Sequence, residues 1–259
     1  MFGSYTKSFH PGRAAQNGLM AAILAKNGYT SSLEALEAKR AWVNVVSDID
    51  SDDDKLKEQA GRLGKSGCCE IVKNSFKLFP CGIVIHPVID GCIRLHGRVR
   101  HLGSSIQDIR DVQIIVHPLV LELTGKTKPN DGLEAKFSVY HGAAIGLVLG
   151  KATPSQYEDS IVQAPEIINL RGRIHATADE KCRTDECHIV VNFNDGISVK
   201  THVDHAVGSV EAPMSDAQLT DKFLDQCVPV LGMERAKMVS EWCWALDQHE
   251  DIRRIKDIF

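Results

Sequence analysis

Two lysines each stand a few residues upstream of a His-Pro pair: Lys7 before His10-Pro11, and Lys77 before His86-Pro87. Proline suits the first position of a helix, where the opening amides have no intrahelical acceptor and point beyond the helix end. An ammonium group near such amides makes an arrangement that can hold a carboxylate. The same residues read equally well as helix caps with solvated lysines beside them. A third pair, His117-Pro118, also occurs, but only the first two precede strong helical patterns.

Other chemistry-bearing residues point less clearly. The eight cysteines, Cys68, Cys69, Cys81, Cys92, Cys182, Cys187, Cys227 and Cys243, are scattered through a chain too long to need stapling, and reduced structural thiols are expected. Cys81, beside Gly82, is the best placed of them for a nucleophile, against the plainer reading of a small buried apolar residue. Cys182, Cys187 and His188 lie close in sequence, but no second ligand pair follows at zinc-finger spacing, so no metal is expected. His202 and His205 sit near a strand end and read as surface residues rather than ligands. The chain has no GxGxxG after a strand, no GxxxxGK[ST], no GxSxG and no HExxH, which removes the usual support for nucleotide-binding, α/β-hydrolase and zincin chemistry.

These residues belong to a chain of 259 residues with 43% hydrophobic and 25% charged residues, a globular composition able to bury a substantial core. Disordered, collagenous and low-complexity classes are excluded. The net charge of −4 supplies no general field for nucleic acid, so any anion must be met by a local cluster of cations. No apolar run approaches the roughly 18 residues of a membrane span, and the opening MFGSYTKSFH has neither a signal-peptide core nor an Arg-rich transit pattern. A cytoplasmic location is expected, with mitochondria as the alternative.

The opening stretch reads as helical. A helix is expected from Pro11 to Lys26, with the proline in its first turn and Gly28 past its end. A second should follow Ser31, which has capping-box spacing to Glu34, and a third should run from Ser51, Asp52, Asp53 and Asp54 to Gly64. Beyond Gly67 the pattern mixes. Strands are expected over Ile71 to Phe79 and Val112 to Val116, and a hairpin over Cys187 to Phe193 and Ile197 to Val203 about Asn194-Asp195-Gly196. Helices should open at His86-Pro87, span Lys136 to Leu149 up to Gly150, and restart at Thr153-Pro154. From Ser215 the helical period returns through Leu219, Phe223, Cys227 and Val230, then Val239, Trp242 and Leu246. The fold class is therefore α+β: a discontinuous all-helical domain from both chain ends, residues 1–70 and 213–259, around an inserted α+β lid, residues 71–212.

Four segments, KSFHPGRAAQNGLMAAILAKNGYT, FKLFPCGIVIHPVIDG, VHPLVLELTG and GLEAKFSVYHGAAIGLVLG, occur in order and together resemble the MmgE/PrpD family. That family includes 2-methylcitrate dehydratase, cis-aconitate decarboxylase and iminodisuccinate epimerase. The resemblance implies a cleft between the helical and lid domains, where a small di- or tricarboxylate loses or moves a proton next to a carboxylate, without metal or organic cofactor. It implies that Lys7 and Lys77 are the cleft lysines, with His10 and His86 beside them as catalytic candidates and Cys81 and Gly82 as further substrate-binding candidates. Family members are much longer, and this chain looks like roughly their last three fifths. The stretch with Asp and His that contributes acid and base groups in the family has no visible counterpart here. The implied partners are a small polycarboxylate and either a second copy or a homologous chain, with no nucleic acid or membrane. The competing reading is a truncated, non-catalytic relative that binds carboxylates or pairs with a longer homologue.

Overall fold

A computed structural model describes residues 4–47, 53–101, 103 and 105–258 of the chain. The chain divides into two compact units: Tyr5–Asn74, and Ser4 together with everything from Ser75 onward. The C-terminal helices group with the α+β body in this division; the expected single domain made from both ends is taken up below as a proposal.

The unit Tyr5–Asn74 contains α1 (Thr6–Lys26), α2 (Trp42–Val46) and α3 (Asp54–Arg62). Two expectations need correction here. Helix α1 starts at Thr6 rather than Pro11, so Pro11 lies in its second turn and the His10-Pro11 pair does not mark a helix start. The amides of Ser8 and Phe9 at the true start are both taken by the Tyr5 carbonyl, at 3.1 and 3.2 Å. No helix follows Ser31: residues 33–40 form successive turns, and the Glu34 amide bonds the Ser32 hydroxyl at 3.2 Å instead. The turns are closed from downstream, by Trp42 N to Ala35 O, Val43 N to Leu36 O, and the Asn44 side-chain amide to Ala38 O at 3.1 Å. Non-local bonds here outcompete the local cap. Helix α3 does form, capped by the Asp53 carboxylate on the amides of Lys55 and Leu56. The expected start at Ser51 and Asp52 lies outside the described residues.

The expected strand over Ile71–Phe79 is also absent. Glu70–Lys73 makes one 3₁₀ turn, and the chain then runs irregularly to Gly82. A strand needs a partner ladder, and here one bond holds, Phe76 N to Gly208 O at 2.7 Å. Gly208 has φ +98°, and a Cβ there would lie 2.2 Å from the Phe76 carbonyl oxygen, so this approach requires glycine.

From Gly82 the expectations for the body hold. A 3₁₀ turn, Ile83–Ile85, runs directly into α4 (His86–His101). Next come β1 (Ile109–Val116), α5 (Pro118–Thr124), α6 (Gly132–Ala135) and α7 (Val139–Leu149), the last closed by Gly150 in the left-handed region at φ +65°. Thr153-Pro154 opens a 3₁₀ turn to Tyr157 rather than an α-helix. Then follow α8 (Asp159–Val162), α9 (Pro165–Arg171), β2 (Ile174–Ala178), and the hairpin of β3 (Cys187–Phe193) and β4 (Ser198–Val203). The sheet order is β2-β1-β3-β4, with β1 parallel to β2 and the other pairs antiparallel. Helices α10 (Asp216–Leu231), capped by a Ser215–Gln218 box, and α11 (Met233–Trp244) follow, tied by Trp244 Nε1 to Thr220 Oγ1 at 2.9 Å, with two 3₁₀ turns, Leu246–Gln248 and Ile252–Asp257, after them. Among the described residues no helix is long and apolar enough to cross a membrane.

One face of the sheet supplies Val112, Ile114 and Val116 from β1 and Ile189, Val191 and Phe193 from β3 to a core completed by α4 and α7. The two helices meet through small residues. A Cβ at Gly146 would lie 2.8 Å from Cys92 Cβ, and one at Gly142 3.0 Å from Ile89 Cγ1. Close approach here fixes the start of α4, and with it the loop that precedes it. Gly146→Leu should force α4 and α7 apart and lower stability by about 1–3 kcal/mol, read from the urea midpoint at constant slope. An unchanged midpoint would mean the two helices are not packed at this distance.

Candidate functional site

The segment Lys77-Leu78-Phe79-Pro80-Cys81-Gly82 is irregular backbone pinned at both ends. Pro80 has no amide to give a ladder, which suits a loop better than a strand. Lys77 folds back over the loop, and its Nζ donates to the Cys81 carbonyl at 3.2 Å. Gly82 N donates to the Lys136 carbonyl at 3.1 Å, and Ile85 N to the Gly82 carbonyl at 3.0 Å, which starts the helical run. That run opens at Ile83, three residues before His86-Pro87, so the opening amides belong to the residues just after Gly82 rather than to Pro87 and Val88. A Cβ on Gly82 would be 3.0 Å from Thr124 Cγ2, so the loop sits close against the end of α5.

Phe79, Cys81 and His86 point inward. His86 is 2% exposed, meets the Phe79 ring edge-on at 5.1 Å, and has a buried Nε2 with no hydrogen-bond partner. Burial, reinforced by the positive charges of Lys77 and Lys222 and partly offset by a backbone hydrogen bond at Phe79, pushes its pKa down to about 4. It is a neutral imidazole at physiological pH. The Cys81 thiol is pushed up to about 11, by burial above all, against the lowering pull of Tyr157, Lys77 and Lys136. It is therefore a thiol rather than a thiolate near neutrality, which counts against the nucleophile reading. The Tyr157 hydroxyl is buried beside that sulphur without a partner of good hydrogen-bond geometry. Tyr157 also faces His141, with ring centroids 5.4 Å apart. His141 is fully buried; its Nε2 meets the Gln156 carbonyl at 3.1 Å, its Nδ1 has no partner, and burial lowers its pKa to about 4.

The electrostatics of this loop come from three lysines. The charges of Lys77 and Lys136 reach Cys81, and those of Lys77 and Lys222 reach His86. No ion pair is found for any of the three among the described residues. Lys77 and Lys136 beside this loop can receive a small anionic ligand, while Lys222 stands between Asp221 and Asp225 on α10 and adds less. The arrangement gathers Lys77, Cys81, Gly82 and His86 as the sequence reading grouped them. Lys7 and His10 lie on the exposed surface of α1, in the other unit. Sequence reasoning missed Lys136, Tyr157, His141 and Lys222. Lys136 and His141 stand inside the GLEAKFSVYHG segment, which signalled the family but not those positions, and Lys222 is one of several polar residues on an amphipathic helix.

Two cavities adjoin the loop. One of about 350 Å³ is lined by Phe76, Ile83, Val84 and His86 on one side and by Asp185 and Glu211 on another. One of about 330 Å³ lies between Leu78, Thr153-Pro154 and the α10 side chains of Asp221, Lys222 and Asp225. A third cavity, of about 710 Å³, is lined instead by residues such as Gln107, Glu166 and Arg173 and contains none of the motif residues.

Residues 79–247 match the MmgE/PrpD C-terminal domain and residues 2–54 match the MmgE/PrpD N-terminal domain. The chain is 23% identical to a cis-aconitate decarboxylase from Aspergillus terreus, over 99% of this chain and 55% of that protein. It is 25% identical to the 2-methylcitrate dehydratase of Escherichia coli strain K12, over 84% of this chain and 46% of that protein. A 2-methylcitrate dehydratase from Cupriavidus necator is 26% identical over 69% of this chain and 36% of its own length. The chain thus spans about half the length, or less, of the curated relatives it matches.

The buried imidazoles give a pH test. Both have folded pKa values near 4 against 6.5 for an unfolded histidine, so between these limits the unfolded chain binds more protons. Their contribution is complete above pH 6.5 and is lost as pH falls toward 4. Between pH 7 and pH 5 each should remove on the order of 2 kcal/mol of stability. His141→Gln and His86→Gln should each flatten the pH dependence of the urea midpoint; a slope unchanged in both would show that neither histidine is held neutral.

Proposed function

We infer, because this chain belongs to the MmgE/PrpD family, that it is a lyase or isomerase of a small di- or tricarboxylate such as 2-methylcitrate, an alkylcitrate or cis-aconitate. The observation that carries this reading is Lys77, held over the loop by the Cys81 carbonyl at 3.2 Å and in no ion pair among the described residues, with the charge of Lys136 reaching the same loop. A proton leaving carbon next to a carboxylate puts negative charge on that carboxylate. Fixed cations stabilise this developing charge more than they stabilise the ground state, which lowers the barrier. Loss of the neighbouring hydroxyl as water, or return of a proton on the other face, then completes dehydration or epimerisation; in decarboxylation the same charge arises as CO2 leaves, and the carbon then takes up a proton.

In this reading Lys77 binds the substrate carboxylate and bears the developing charge, and Gly82 keeps the loop backbone open to the ligand. Lys7 is assigned to a further carboxylate, and His10, exposed on α1, to proton transfer. His86 and Cys81, sealed from solvent, position the loop rather than exchange protons with substrate. The opening helices and residues 213–259 are proposed as one helical domain in the working protein, with 71–212 as its lid.

Helix α1 buries none of its residues and leaves Leu19 and Met20 65% and 53% exposed, with Ile23 and Leu24 alongside. Apolar surface of that kind invites cover, and a second copy or a homologous chain is the proposed partner.

Loss of 2-methylcitrate and decarboxylation of cis-aconitate, followed in the wild type, Lys77→Ala and Lys7→Ala, test the assignment. Removing one charge-stabilising donor typically lowers kcat by about 10² to 10³, and that loss is expected for Lys77→Ala at unchanged stability. Equal rates in all three proteins would remove the enzymatic reading. If the chain works only when paired, the specific rate should rise with protein concentration in step with the mass measured by light scattering.

A further inference from the structure

The outward face of the β3–β4 hairpin carries a group of side chains that the carboxylate chemistry leaves unused. His188 and His202 are directly opposite each other in the ladder, and both project from the solvent side of their strands. Their rings stack with centroids 4.3 Å apart and planes within 5° of parallel. Glu186, one residue before β3, turns its Oε1 to both: 2.9 Å to His202 Nε2 and 3.4 Å to His188 Nε2. The three ligand atoms lie within 4.8 Å of one another.

Glu186 is the fixed member. Its side chain is only 12% exposed, and its other oxygen is held by the Arg183 amide at 3.1 Å and by the Arg183 guanidinium at 3.5 Å. A carboxylate oriented by neighbours in this way is typical of ligands that serve a metal. The histidines are about half exposed, so their inner edges face the carboxylate and their outer sides face water. Two neutral imidazoles stacked with the same nitrogen at the same edge set like dipoles side by side, and two imidazolium ions would repel each other outright. One cation at the shared edge would satisfy both nitrogen lone pairs and the carboxylate together.

We propose that Glu186, His188 and His202 form a surface site for a late first-row divalent ion such as Zn²⁺, clamping β3 to β4 and leaving coordination positions open to water. Two imidazoles and one carboxylate suit such ions, whereas Mg²⁺ and Ca²⁺ require oxygen-rich shells. A neighbouring group, Asp185, His205 and Glu211, also gathers ligand atoms. It offers one imidazole, whose Nδ1 is already bonded to Asp185 at 2.5 Å, and so makes the poorer site. The cysteines that suggested zinc in the sequence do not contribute. Cys187 faces the core where His188 faces out, because successive strand residues alternate, and Cys182 is buried. Arg183 bridges Glu186 and Asp204, so its charge is already neutralised by acidic partners as an ion arrives.

Calorimetric titration of the full chain with Zn²⁺ after chelator treatment should show one strong site. At a hundredfold excess over Kd the melting temperature should rise by roughly 5 °C or more. His188→Ala and His202→Ala should each weaken binding at least tenfold and abolish the melting shift, with Mg²⁺ inert throughout. His188→Gln and His202→Gln give the same reading if an alanine variant fails to fold, as judged by its far-ultraviolet circular dichroism. Because Cys69 and Cys243 are exposed, Co²⁺ serves as the spectroscopic probe: ligation by nitrogen and oxygen gives only weak visible bands, and thiolate ligation adds an intense near-ultraviolet band. A thiolate band, affinity unchanged by both histidine variants, or no Zn²⁺ binding at all would each overturn the site.

Discussion

The hydrogen bond from Lys77 Nζ to the Cys81 carbonyl decides what the loop can do. A lysine could be held in place by a carboxylate, but an ion pair would spend its charge internally. A carbonyl oxygen restrains the side chain and leaves the positive charge available to a ligand. The same logic extends to Lys136 and Lys222, whose fields reach the loop from α6's end and from α10 and which likewise lack an acidic partner among the described residues. Burial above all, reinforced by the charges of Lys77 and Lys222, keeps His86 from taking a proton until the pH falls to about 4.

That loop holds its shape because its inward residues belong to the core. Cys81 and Ile85 belong to one core with Ile89 and Cys92 of α4, and α4 in turn lies against α7 at a distance that the glycines at 142 and 146 permit. The polar atoms that come inward with them, His86 Nε2, His141 Nδ1 and the Tyr157 hydroxyl, are left without good partners. Such atoms ordinarily cost about 1–3 kcal/mol each, so a fold that keeps several beside one loop holds strain where binding or catalysis would use it.

The parts legible in the sequence are those fixed by local chemistry. Gly196 takes positive φ and sets the hairpin; Gly150 takes the left-handed region and ends α7; the run over Val112 to Val116 forms a central strand that buries Val112, Ile114 and Val116 on one face. The misread parts are those where distant contacts outvote local signals. Ser31 and Glu34 have the spacing of a cap, but Trp42, Val43 and Asn44 claim the carbonyls before them. Residues 71–79 read as a strand, but Glu70–Lys73 closes a 3₁₀ turn and the remainder makes one bond to a distant segment, Phe76 N to Gly208 O, instead of a ladder. Pro11 advertises a helix start and lies in a second turn, because Thr6 to His10 already satisfy the helix. Lys136 and Lys222 were invisible for a related reason: their relevance comes from where α7's lead-in and α10 pack, and no spacing in the chain encodes it.

Charge is partitioned within this body in a way that the net value of −4 conceals. Lysines surround the loop before α4, while Asp185, Glu186, Asp204 and Glu211 gather at the hairpin's root and edge with the exposed histidines. The cavity beside His86 is lined by Phe76, Ile83, Val84 and His86 and by Asp185 and Glu211, and none of the three lysines is among its lining residues. Its two carboxylates repel an anion over the same short distances at which the lysines attract one near a partly solvated surface. The acidic cavity and the lysine-flanked loop are therefore separate electrostatic environments, and an anion is favoured at the second rather than the first.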